Sequence, residues 1–223
     1  MAFKLDFKQK VLLFDFDGTI VQTETLARDV VIEYFAEKKL GNESFSLPFA
    51  NLIVGRPWKS ATELMVGEAK HSGLHLPSAE ELYQEFKKRY RERFEKGVKL
   101  IPGILDVLPK LKAQAKFMGI VTGSERDEVM SLMNAHGLSP FFERIWAYGD
   151  YEFSKPDPSP FLTAMRDVGV GPTDCVVFED SQAGMESAKR AGMPWVQIAH
   201  EAHSLTPNHD SQLVLHTWFE LLN

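Results

Sequence analysis

Val11-Leu12-Leu13-Phe14 is apolar at every position and stops abruptly at Asp15-Phe16-Asp17-Gly18-Thr19. A strand alternates its faces, so a run with no polar side is expected where both faces are covered, as in a parallel sheet packed by helices. Asp15 and Asp17, two positions apart, can project to the same side where the strand ends. Carboxylates at the end of a buried strand are costly unless paired or hydrogen-bonded. They are well suited to holding a hard cation such as Mg²⁺ and to presenting a nucleophile.

The rest of the chain has two textures. Residues 23–40 read as a helix, with Gly41 where a C-cap is expected. Residues 59–70 and 78–96 read as two more, and nothing between 20 and 97 has the pattern of a buried parallel strand. Beyond Gly97, predicted strands at 117–121, 145–148, 175–178 and 195–198 alternate with predicted helices at 104–113, 126–136, 158–168 and 182–191. That alternation marks a parallel α/β sheet. The expected architecture is an α/β core of residues 1–20 and 98–223, with an all-helical insert over 21–97.

Thirty-one acidic against 25 basic residues give a net charge of −6, which disfavours a general nucleic-acid surface. The basic run 87–93 is interleaved with acids and reads as a solvated helix face. Met1 to Lys10 lacks the apolar stretch of a secretory signal or membrane span. The single Cys175 falls in a predicted buried strand and suits a reducing compartment. A cytoplasmic protein with no membrane or nucleic-acid partner is expected, with a monomer the simplest oligomeric state.

Four segments fall at, or just after, the carboxyl ends of predicted core strands. They are Asp15-Phe16-Asp17-Gly18-Thr19, Val121-Thr122-Gly123-Ser124, Ser154-Lys155-Pro156-Asp157-Pro158 and Phe178-Glu179-Asp180-Ser181. Open parallel sheets bind ligands outside those ends, so the four are predicted to share one crevice. The set suits phosphoryl transfer, where catalysis is mainly positioning and charge stabilisation. Lys155 supplies a positive charge. The Thr122 hydroxyl and the amides near Gly123 and Ser124 can donate to phosphate oxygens. Asp15, Glu179 and Asp180 can hold Mg²⁺, which reverses the local sign. Asp15 can attack phosphorus, and Asp17 can give a proton to the leaving oxygen and later take one from water.

These four segments resemble motifs one to four of the haloacid dehalogenase superfamily. Within it the chain is similar to the beta-phosphoglucomutase-like sugar phosphatases and mutases, which carry a helical cap between the first two motifs. The resemblance implies a Rossmann-like parallel sheet core with an inserted all-helical cap domain. It implies Asp15 as nucleophile, Asp17 as general acid/base, Thr122 and Lys155 on the phosphate, and Mg²⁺ held by Asp15, the Asp17 carbonyl, Glu179 and Asp180. In the cap it points to the loop Gly55-Arg56-Pro57-Trp58-Lys59, so Arg56 and Lys59, with Thr23 at the cap's start, are the expected substrate contacts. Gln22 departs from the Asp that many relatives carry there.

The activity expected is Mg²⁺-dependent hydrolysis of a small phosphorylated metabolite, a sugar phosphate. A sugar phosphomutase shares all four motifs. A non-catalytic phosphometabolite-binding protein would be expected to show a damaged motif, and none is damaged. Blander roles stand beside the sharp ones. Ser124 with Asp127 can cap a helix, Glu179-Asp180 can be another cap, and Trp58 can simply pack. His200, His203, His209 and His216 match no zinc spacing.

Overall fold

The computed structural model describes residues 6–41, 43–53, 58–199 and 210–222. Six strands form one parallel sheet: β1 (Val11–Phe14), β2 (Phe117–Val121), β3 (Arg144–Trp146), β4 (Cys175–Glu179), β5 (Trp195–Ile198) and β6 (Leu213–Leu215). Their order is β3-β2-β1-β4-β5-β6. The chain runs outward from β1 to β3 on one side, then crosses to β4 and runs outward on the other. The strand order therefore reverses between β1 and β4, where such sheets open a crevice at their carboxyl ends. Phe14 is in register with Phe178, so Asp15 and Glu179, the next residues, emerge side by side.

Contacts divide the chain into two compact units, residues 22–99 and residues 1–21 with 100–223. The first is helical: α1 (Thr23–Glu37), α2 (Glu43–Asn51), α3 (Trp58–His71) and α4 (Ala79–Phe94). Its core gathers Val30, Val31, Phe35, Phe49, Met65 and Phe86. A capping box between Ser78 and Glu81 starts α4. The basic run on α4 is partly paired rather than merely solvated. Arg89 bridges Glu37 and Glu85, and Arg93 bridges Asp29 and Glu33.

In the second unit α5 (Ile104–Gln114), α6 (Arg126–Ala135), α7 (Ser159–Val168) and α8 (Gln182–Arg190) alternate with the strands. Val11, Leu13, Val121, Trp146, Phe161, Val177 and Met185 share one side of its core. No helix of the described residues is long and apolar enough to cross a membrane.

Three local expectations are corrected. Helix α1 ends at Glu37, not near 40, because Lys38 takes the C-cap and Lys39 already has φ 55°. Helix α2 was not expected; Pro48 inside it breaks the usual signal, yet Phe49 still reaches the Phe35 ring at 5.0 Å. Strand β6 is three residues long and only partly buried, too short to leave a pattern.

Candidate active site

The centre of the site is one ammonium among buried carboxylates. Lys155 Nζ donates to Asp15 Oδ1 at 2.6 Å, Glu179 Oε1 at 2.7 Å and the Val121 carbonyl at 2.9 Å. All three of its protons are used. Burial works against the Lys155 charge, but Asp15 and Glu179 outweigh it and raise its pKa well above the usual value. Burial likewise dominates at Asp15 and pushes its carboxyl pKa well up. Lys155 opposes this, and Glu179, Asp180 and Asp17 add to it. One lysine is too few for this many acids.

Glu179 is wholly buried, and its second oxygen accepts from the Asp180 and Ser181 amides and the Ser181 hydroxyl at 2.9 to 3.0 Å. The same Ser181 hydroxyl caps α8 by accepting from the Gly184 amide at 3.0 Å. A methyl group on Gly184 would lie 1.7 Å from Glu179 Oε1. The carboxylate thus occupies the volume that any other residue's Cβ would need. Gly184→Ala is expected to displace Glu179 from Lys155, destabilise the protein by about 1–3 kcal/mol and cut turnover at least about 100-fold. Urea unfolding and steady-state rates check both, and a variant with wild-type values would contradict this packing account.

Asp17 sits at the sharp turn after β1, where Gly18 has φ 77°, a conformation that favours glycine. Asp17 Oδ2 accepts from Ser124 Oγ at 2.5 Å and Thr122 Oγ1 at 3.1 Å. Thr122 Oγ1 in turn accepts from the Ser124 amide at 3.0 Å. The capping role weighed for Ser124 is not what forms: Glu125 is the N-cap of α6, with no side-chain cap bond. The Ser124 hydroxyl is turned to Asp17 instead. A side chain on Gly123 would meet nothing within 4 Å, so the space beside that backbone is open. The cap on α8 is Ser181, not Glu179 or Asp180.

Asp15, Glu179 and Asp180, all buried, can each offer one oxygen to a common point, these atoms lying within 4.8 Å of one another. Thr19 Oγ1 donates to Asp180 Oδ1 at 3.0 Å and fixes it. An all-oxygen, anionic donor set with a single competing ammonium fits a hard divalent cation.

The other expected residues belong to the helical unit or lie outside the described residues. Thr23 opens α1 and Lys59 lies in α3, both in the helical unit. Arg56 lies outside the described residues, as do His200, His203 and His209. His216 is exposed. Trp58 packs on Tyr90 and Phe86, with ring centroids 5.4 and 6.1 Å away.

Two contributors carry no local sequence signal. Tyr151 OH donates to the Thr122 carbonyl at 2.7 Å, and burial pushes its phenol up to about 12. The Tyr148 amide donates to the Ser124 carbonyl at 3.0 Å. Together they tie the loop after β3 to the loop after β2.

The chain is 31% identical over 188 residues to the fructose-1-phosphate phosphatase YqaB of Escherichia coli, covering 84% of this chain and 95% of that protein. It is 28% identical over 201 residues to a phosphorylated carbohydrates phosphatase of Thermotoga maritima, covering 88% and 87%. The structure of CbbY from Rhodobacter sphaeroides in complex with phosphate superposes with a TM-score of 0.71 over 96% of each chain; at 22% identity that likeness speaks for the fold. The family model described as haloacid dehalogenase-like hydrolase matches residues 12–198, and the chain belongs to that family.

Proposed function

We propose that this phosphatase hydrolyses a small phosphomonoester, a sugar phosphate, with Mg²⁺ as cofactor and an aspartyl phosphate on Asp15 as intermediate. The observation that carries the reading is the buried Asp15–Lys155–Glu179 cluster, with Asp180 beside it and, among the described residues, the one Lys155 ammonium paired to it. A purely structural role would not bury so many acids at the open end of a sheet. The names of the relatives in Escherichia coli and Thermotoga maritima favour a phosphorylated sugar as substrate.

In the first step an Asp15 oxygen attacks phosphorus and the bond from phosphorus to the ester oxygen breaks. Asp17 gives its proton to that oxygen, which leaves as the alcohol. In the second step Asp17 takes a proton from water as the water oxygen attacks the acyl phosphate. Inorganic phosphate leaves and Asp15 is free again. Lys155, which the resemblance put on the phosphate, has its three protons taken and holds Asp15 in place. The hydroxyls of Thr122 and Ser124, which donate to Asp17 in the free protein, turn to the phosphate oxygens when substrate binds, beside the Gly123 amide. Mg²⁺ held by Asp15, the Asp17 carbonyl, Glu179 and Asp180 supplies positive charge against the repulsion between these acids and a phosphate dianion.

The test is phosphate release from a panel of sugar phosphates, with Mg²⁺ or with a chelator, scored separately for isomer formation. Release that requires Mg²⁺ is expected; full turnover in chelator, or isomerisation without release, contradicts the reading. Asp17→Asn is expected to slow hydrolysis of a sugar phosphate by ~10²–10⁴-fold. An aryl phosphate needs no proton on its leaving group, so there the variant still forms the phosphoenzyme and stalls at its hydrolysis. Stopped-flow release of the aryl alcohol should show a burst; equal losses in both steps contradict the role.

A further inference from the structure

We propose that Trp218, in the short C-terminal helical turn Trp218–Leu222, is a positioning residue for the carboxylate site. Its side chain is completely buried. Its indole Nε1–H donates to the Thr19 carbonyl at 2.9 Å, 199 residues away in sequence. The hydroxyl of that same Thr19 donates to Asp180 Oδ1. The Trp218 ring also lies 5.9 Å from Phe14 and 5.2 Å from Phe178, centroid to centroid. Those two phenyl rings stack on each other at 4.6 Å. Phe14 immediately precedes Asp15, and Phe178 immediately precedes Glu179. One indole therefore buttresses the backbone behind Asp15 and Glu179 and, through Thr19, fixes Asp180.

The turn that carries Trp218 is itself seated. The Trp218 amide donates to the Pro102 carbonyl at 3.3 Å. Gly103, at φ 87°, lies so close that a Cβ there would be 2.8 Å from the Phe219 nitrogen. Trp218 touches no reacting atom. It acts through Thr19 and the two phenylalanines, as outer partners do when they orient the groups that hold a metal. This inference rests on the phosphatase reading for its purpose, but its test uses no substrate.

The test is a double-mutant cycle read by calorimetric titration of Mg²⁺ into the metal-free protein. Thr19→Val deletes the hydroxyl and is expected to weaken Mg²⁺ binding by ~10-fold or more. Trp218→Phe keeps an aromatic ring and deletes the N–H; about 5-fold weaker binding is expected, since it acts one step further out. The double variant should bind about as weakly as Thr19→Val alone, because both changes interrupt one path. Where Trp218→Phe fails to fold, benzothienylalanine at position 218 retains the ring shape without the N–H and replaces it in the cycle. Mg²⁺ affinity within about two-fold of wild type, whatever the melting temperature, overturns the proposal. So does a double variant whose loss is the full product of the single losses. Failure of the wild-type protein to release phosphate from any ester would instead count against the phosphatase reading, and the cycle would still decide on Trp218.

Discussion

Asp15→Asn is expected to abolish turnover and, at the same time, to stabilise the metal-free protein. The amide is a poor nucleophile, so phosphate release should fall by about 10⁴-fold or more. The gain in stability has a separate origin. Asp15 holds its proton more tightly in the folded chain than at its ordinary value of 3.8, chiefly because of burial, with Glu179, Asp180 and Asp17 adding to the effect. Above that value the folded state binds more protons than the unfolded state. Stability contributed by protonated Asp15 is therefore lost as pH rises through the elevated pKa. Lys155, also raised, remains charged throughout that window. In chelator, the wild-type melting temperature should fall between pH 5 and pH 8 more steeply than that of Asp15→Asn. Added Mg²⁺ should remove much of the wild-type loss. A variant less stable than wild type at pH 8, in chelator, contradicts this description of the site.

Lys155→Met should have the opposite effect on stability and a similar direction on rate. It leaves Asp15 and Glu179 buried without their counter-ion, and their oxygens at 2.6 and 2.7 Å from Nζ lose a donor. Breaking a buried pair from one side typically costs about 3–5 kcal/mol. Glu179 keeps its three donors from Asp180 and Ser181, so the strain falls mainly on Asp15. The deficit should shrink as pH falls, since protonated acids need no counter-ion. Turnover should drop by about 10²–10³-fold from the lost charge alone. Urea unfolding at pH 5 and pH 8 reads the first effect. A cost below about 1 kcal/mol at pH 8 would show that the cluster tolerates its unbalanced charge.

The fold was legible where burial is two-sided and the chain is regular. Val11–Phe14 and Cys175–Glu179 are buried throughout, and an apolar run bounded by polar residues has few other uses. Helix α2, with Pro48 within it, and the three-residue β6 were not legible, because tertiary packing rather than local pattern holds them. In the site, the segments that end β1, β2 and β4 could be grouped because a parallel sheet brings its carboxyl ends together. What they do to one another could not. The Ser124 hydroxyl has a local capping partner in sequence, but its bond goes to Asp17, 107 positions away. Gly184 ends the run Phe178-Glu179-Asp180-Ser181-Gln182-Ala183-Gly184, which resembles the fourth family motif, but only the Glu179 carboxylate packed against it shows why nothing larger fits. Tyr151 and Trp218 each make one long-range bond to a backbone carbonyl, and no spacing rule announces such a bond.

The central claim is that phosphoryl transfer passes through Asp15. Rapid-quench mass spectrometry with an aryl phosphate and Mg²⁺ tests it directly. In the wild type and in Asp17→Asn, an added phosphoryl group should appear on the peptide containing residues 11–19 and map to Asp15, lasting longer in the variant. In Asp15→Asn no label should appear. Label on a serine or histidine, or labelling of Asp15→Asn at the wild-type rate, would contradict the mechanism.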